Sequence, residues 1–277
     1  MAKPKKKEGF FETIKTIVFA LILAGIFRTL FFQPFWIPSG SMKDTLLIGD
    51  FLFVNKMSYG YSYASCPTVR IAAIGLNIDA EDICGFLRGG NKRILGAEPK
   101  RGDVVVFRHP TNGQDYIKRL IALPGEKVQI KNGIVYINEA PLEVIPDGTF
   151  DEIKAPQGPF QNMPRCANEV VEQNGLCQKE KFVEILPNGF SHSILNFMRQ
   201  TVDDTPVYHV PLDHYFFLGD NRDNSSDSRI SQSRGGVGFV PFENLVGRAD
   251  RVLLSSAGRS MFYFWTWRGD RFFEGIE

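Results

Sequence analysis

The sequence predicts an all-β core of antiparallel sheets, a partly closed barrel, tethered by one N-terminal transmembrane helix. Three observations point there. An apolar run follows a lysine cluster at the start of the chain. Beyond Pro38 the apolar residues fall in short alternating or β-branched runs divided by Gly, Pro and Asn, and few helical periods appear after that point. With 277 residues, 43% of them apolar, the chain has room for a substantial core. Its 32 Lys and Arg nearly cancel 31 Asp and Glu, which argues against a nucleic-acid partner, because such binders carry a broad basic excess.

Residues 1–13, with Lys3, Lys5, Lys6 and Lys7, read as a cytoplasmic basic tail, and residues 14–35 as a transmembrane signal anchor. The run from Thr16 to Phe27 falls short of the roughly 20 residues that span a bilayer. Continuing through Arg28 supplies the length, provided Lys15 and Arg28 turn their charged heads toward the interfaces. A cleavable signal peptide is the rival reading, but no A-x-A-like site closes the run. Lysines on the N-terminal side put that end in the cytoplasm and the remainder outside.

Residues 36–138 read as the first part of the core, with strands at Asp50–Val54, Asp103–Phe107, Lys127–Ile130 and Ile134–Ile137. Lys131-Asn132-Gly133 between the last two is a hairpin signal, because Asn-Gly tolerates positive φ at both turn positions. Residues 57–100, rich in Gly and Ser, form a long excursion, and residues 139–213, polar and Pro-containing, an inserted subdomain. The core resumes over 214–277 with His214–Leu218 and Val246–Leu254. Cys66, Cys84, Cys166 and Cys177 contain no CxxC; two local disulfides and four buried thiols both remain open, with an outside location favouring disulfides. Met261 to Trp267 packs five aromatics into seven positions and reads either as a buried strand or as an interfacial patch.

For chemistry, His109, His192, His209 and His214 lack a nucleophile context, and no G-x-S-x-G elbow is present. The acidic run Asp220–Asp227 fails as a calcium loop, with Arg222 at a ligand position and Ser225 where the turn needs Gly. Gly235-Gly236-Val237-Gly238 is a turn rather than a phosphate cradle. A serine and a lysine remain. Pro38-Ser39-Gly40-Ser41-Met42 offers a tight turn where a hydroxyl and backbone N–H groups can face one carbonyl. In Tyr116-Ile117-Lys118-Arg119-Leu120-Ile121, extended alternation puts each basic residue among apolar neighbours, the pattern of an ordinary half-exposed strand as well as of a buried base. An amine that titrates near 10.4 cannot take a proton from serine at neutral pH; burial lowers it, whereas arginine stays charged. Lys43, beside Asp44 on a polar stretch, is the competing base and should stay protonated.

These residues resemble the boxes of bacterial type I signal peptidases. Pro38–Met42, Arg101–Phe107, Tyr116–Ile121 with Pro124-Gly125-Glu126, and Gly219–Arg229 occur in the family's order, and the match runs from the anchor to about residue 250. The resemblance implies a serine protease with Ser41 as nucleophile and Lys118 as neutral general base. It implies an oxyanion hole from the Ser39 hydroxyl and the Ser41 N–H, Ser225 orienting the amine, and supporting pairs Asp227–Arg229 and Asp220–Arg119. It implies no metal or organic cofactor, an inserted subdomain that is also β, and a membrane-associating apolar surface beside the site. The implied substrates are preproteins with small residues at −1 and −3, and the implied setting is the inner membrane near the secretion translocon. The sequence agrees on one point: Ser41 lies only 13 positions after Arg28, close to the bilayer whatever the fold. It departs from the commonest family pattern between Tyr59 and Arg101 and in the Cys66/Cys84 pair, and it has one span where some members have two. A self-cleaving repressor would need a DNA-binding head, which is absent from the pattern; a catalytically dead anchored β-domain is the other rival.

Overall fold

The computed structural model describes residues 9–276 except 67, 72–74, 90–92 and 169, so the lysines of the basic tail lie outside the described residues. Helix α1 (Phe10–Leu30) opens the structure. Among the described residues no helix is long and apolar enough to cross a membrane. The segment expected as a span over 14–35 divides: its last residues belong to strand β1 (Phe32–Trp36), antiparallel to β2 (Asp50–Asn55) with Phe32 opposite Asn55 and Trp36 opposite Phe51. Sheet pairing takes over here because β1 is an edge strand, where Pro34 has no N–H to lose from the ladder. The Phe32 and Phe53 rings add an edge-to-face contact at 6.0 Å.

The excursion is not a loose loop. It holds a hairpin, β3 (Val69–Ile71) and β4 (Leu76–Ile78), and a short helix α2 (Ala80–Cys84). Cys66 and Cys84 are bonded, and Tyr63, Ala64, Cys84 and Leu87 join the main core cluster. The Arg93 guanidinium clamps the segment through the carbonyls of Tyr59, Gly60, Phe242 and Leu245 at 2.7–3.0 Å.

The core strands β5 (Val104–Arg108) and β6 (Asp115–Ala122) follow. Val104 to Phe107 are all buried, as expected of a strand covered on both faces. Strands β7 (Lys127–Lys131) and β8 (Ile134–Ile137) form the hairpin read from Asn132-Gly133, with φ of 49° and 80° at the turn. Next come β9 (Ala140–Pro141), β10 (Glu143–Ile153), β11 (Leu176–Ile185), β12 (Ser191–Asn196) and β13 (Tyr208–His209). The chain closes with β14 (His214–Leu218), β15 (Val240–Pro241) and β16 (Leu245–Ser255).

The principal sheet runs β1-β2-β16-β5-β6-β14-β15. Strand β16 shifts register against both neighbours, and such bulges deepen twist, so the sheet curls into a half-barrel. Two further sheets involve the 139–213 segment. β10-β11-β12 lies within it, but β13-β7-β8-β9 joins strands from both sides, because the hairpin at Asn132-Gly133 recruits the returning chain at Tyr208. Cys166 and Cys177 are bonded as well. At the C-terminal end the buried-strand alternative fails: Phe262, Phe264 and Trp265 are each at least 69% exposed.

Candidate active site

The turn between β1 and β2 carries Ser39, Gly40 and Ser41. Met42 and Leu46, both fully buried in the main core cluster, fix its far end. The loop after β14 fixes its near end: the Asn221 side-chain amide donates to the Gly40 carbonyl at 2.8 Å and its backbone N–H to the Ser41 carbonyl at 3.1 Å. Gly219 permits this approach, since a Cβ there would stand 2.6 Å from the Ser41 carbonyl oxygen and 2.3 Å from Ser225 Oγ. Asn221 had no role in the sequence reading, although it lies inside the Gly219–Arg229 box. Its contacts are long-range and leave no local signal.

Lys118 comes from the middle of β6, opposite Val105 of β5. Its Nζ lies 2.7 Å from Ser41 Oγ and 2.9 Å from the Ile117 carbonyl oxygen, and the residue is 4% exposed. The half-exposed-strand alternative therefore fails at this position. Burial pulls the amine down from its ordinary 10.5 to about 8, while the Asp227 and Asp220 carboxylates pull it upward. Ser39 Oγ is 3.5 Å from Ser41 Oγ. Among the described residues the Ser41 N–H donates to no backbone acceptor, so it remains available to an incoming oxygen.

The supporting residues divide. Arg119 Nε and Nη2 grip Asp220 Oδ1 and Oδ2 at 2.9 and 2.8 Å with both side chains buried, and Thr45 Oγ1 adds a donor to the same carboxylate at 2.5 Å. Arg229 pairs with Asp227 at 2.9 and 3.0 Å. Burial would raise both carboxyls, but the guanidiniums outweigh it and hold each below the usual range. Ser225 Oγ is buried beside Asp227 and helps hold that carboxyl down, while the hydrogen bonds of the amine run to Ser41 and the Ile117 carbonyl.

Lys43, the competing base, is buried, with Nζ on Glu152 Oε2 at 2.5 Å and Gln157 Oε1 at 2.8 Å, and Lys179 holds the other Glu152 oxygen. Burial lowers the Lys43 ammonium and Glu152 opposes that fall, and the hydrogen bonds of Nζ go to Glu152 and Gln157 rather than to Ser41. A cavity of about 370 Å³ opens beside the serine and lysine, lined by Phe35, Ile37, Val106, Tyr116 and Ile117 among others. It is the kind of concave apolar recess that takes a ligand. His192, one of the four histidines, is buried beside Glu184 and Asp220, and burial brings it down to about 4, so it is neutral at pH 7; it lines a separate cavity with Asp44 and Thr45.

The family model and the curated relatives point to the same family. The family model described as signal peptidase, peptidase S26, matches residues 10–254. Signal peptidase I of Rickettsia canadensis is 37% identical over 250 residues, 87% of this chain and 79% of that protein. Signal peptidase I of Rickettsia typhi is 36% identical over 253 residues, 88% of this chain and 80% of that protein. A solved signal peptidase I from Enterococcus faecalis V583 aligns with 55% of this chain and 97% of its own at 25% identity, with a TM-score of 0.28, too low to bear on the fold.

Proposed function

The chain belongs to the signal peptidase family, peptidase S26, and from that premise we propose that it cuts signal peptides from preproteins at the membrane with Ser41 as nucleophile and Lys118 as general base. As a signal peptidase I it is a serine endopeptidase. The observation that carries the dyad is the 2.7 Å approach of a buried amine to the serine hydroxyl. A neutral Lys118 takes the Ser41 proton as Oγ attacks the scissile carbonyl. The resulting oxyanion is met by the Ser41 N–H and the Ser39 hydroxyl, and Lys118 then returns the proton to the departing amine. A water activated by the same amine releases the acyl group from Ser41. Arg119 with Asp220 and Arg229 with Asp227 act as positioning pairs that hold β6 and the loop after β14 in register.

Anchoring by α1 is supported by eight large apolar side chains between Phe11 and Leu23 that the fold leaves exposed. Covering each is worth roughly 1.5–3 kcal/mol, which a bilayer can supply. The aromatic segment near Trp265 suits the headgroup region, and two disulfides suit an extracytoplasmic domain with the N-terminus in the cytoplasm. The apolar cavity beside Ser41 suits small residues at −1 and −3, and such substrates would reach it as they leave the translocon.

The test is cleavage of a preprotein by the full chain in detergent micelles, wild type against Ser41→Ala and Lys118→Ala. Each substitution is expected to lower kcat by at least about a thousandfold. Unchanged cleavage in either variant removes the dyad.

A further inference from the structure

Ser39 and Asn224 line two cavities, not one. The second, about 250 Å³, lies across Gly40 from the first and differs in chemistry: Lys43, Glu152, Lys179 and Arg165 line it. We propose that this second cavity is the subsite for the residues just after the scissile bond, and that it selects an acidic side chain among them. The proposal rests on the peptidase reading above.

Direction follows from the turn. With a scissile carbonyl at Ser41 and the residues before it in the apolar recess, the chain beyond the cut must pass Ser39 and Gly40, where the second cavity begins. Gly40 makes that passage shallow. A Cβ there would come within 3.3 Å of the Lys43 stem and 3.5 Å of the Asn224 amide, so any larger residue would narrow the junction between the cavities.

Charge follows from the side chains. Glu152 accepts from both Lys43 and Lys179, so one buried carboxylate neutralises one of two lysines, and exposed Arg165 stands at the rim. The cavity carries excess positive charge in a partly dry setting, where an arriving carboxylate gains more than it would in water. Lys43 has three donors, of which Glu152 and Gln157 take two. A third can serve a ligand. The first recess is lined mainly by apolar side chains, with Lys118 of the dyad and Asp115 as its charged members and no cluster of cations, so the two sides of the cut would be read by different chemistries.

The experiment uses the full chain in detergent micelles and peptides with one cleavable sequence, carrying Glu or Lys at the first, second or third position after the cut. Glu should exceed Lys in kcat/KM by about threefold or more at one of the three positions, a margin typical of a partly exposed charge contact. Arg165→Glu, at an exposed position, should cut that ratio at least in half. Ratios below about threefold at all three positions, or a ratio unmoved by Arg165→Glu, overturn the subsite. If that charge-blind cleavage still depends on Ser41, only the subsite falls. If no peptide is cut, or Ser41→Ala cuts as well as wild type, the peptidase reading falls and takes the subsite with it.

Discussion

Replacing Lys118 with Met should stabilise the protein while abolishing its activity, and the gain should depend on pH. The amine titrates near 10.5 when free and at about 8 in the fold, because burial disfavours its charge. Below pH 8 the native and unfolded chains both carry the proton, and the native state bears the whole penalty. A gap of about 2.5 pH units at about 1.36 kcal/mol each makes that penalty about 3 kcal/mol. Between pH 8 and 10.5 the unfolded chain holds more protons than the native one, so wild-type stability climbs with pH; above 10.5 the penalty is gone. Met removes it at every pH but loses the bonds to Ser41 and the Ile117 carbonyl, about 1 kcal/mol each. Lys118→Met should therefore be more stable than wild type by about 1 kcal/mol at pH 7 and less stable by about 2 kcal/mol above pH 10.5. Urea unfolding of the full chain in a nonionic detergent, followed by tryptophan fluorescence at each pH, measures the difference. A stability difference that stays constant from pH 7 to 10.5 refutes the buried amine.

The same value sets the acid limb of the reaction. About a tenth of the enzyme holds a neutral Lys118 at pH 7 and about a hundredth at pH 6, so kcat/KM should fall about tenfold per pH unit below 7 and level off above 8; a flat rate down to pH 5 contradicts this. Ser39→Ala should lower kcat by roughly 10- to 1,000-fold with little change in KM, as expected of a donor that acts on the oxyanion; a pure KM effect would assign Ser39 to binding. Asp220→Asn strands the buried Arg119 guanidinium and should cost about 3–5 kcal/mol in urea unfolding, whereas a loss under about 1 kcal/mol would make the pair dispensable. Replacing Phe264 and Trp265 with Ser should weaken binding to phospholipid vesicles without changing cleavage of a short soluble peptide. Equal vesicle binding would count against a lipid contact at that patch.

Much of the fold was legible because it rests on local pattern. The alternating Asp50–Val54, the unbroken apolar Val104–Phe107 and the Asn132-Gly133 turn each became the expected strand or hairpin. The half-barrel was legible only in outline, since its curl depends on the bulges of β16, where no single residue marks the register shift. The four-stranded sheet escaped the sequence reading because its partners, Val128 and Tyr208, lie 80 positions apart. The partners of Lys43 were illegible for a related reason: Glu152 and Gln157 lie more than 100 positions away in the chain.

By itself, the sequence determined which side chains were available: a serine in a Gly turn, a lysine in an apolar strand, and the ordered boxes that tie both to a peptidase family. Tertiary structure alone decided that Ser41 and Lys118, 77 positions apart, stand 2.7 Å from each other. The physical reason is that a proton-transfer distance and a depressed amine depend on what surrounds Nζ in space, and that surrounding is assembled from the turn after β1, from β6 and from the loop after β14, none adjacent in the chain.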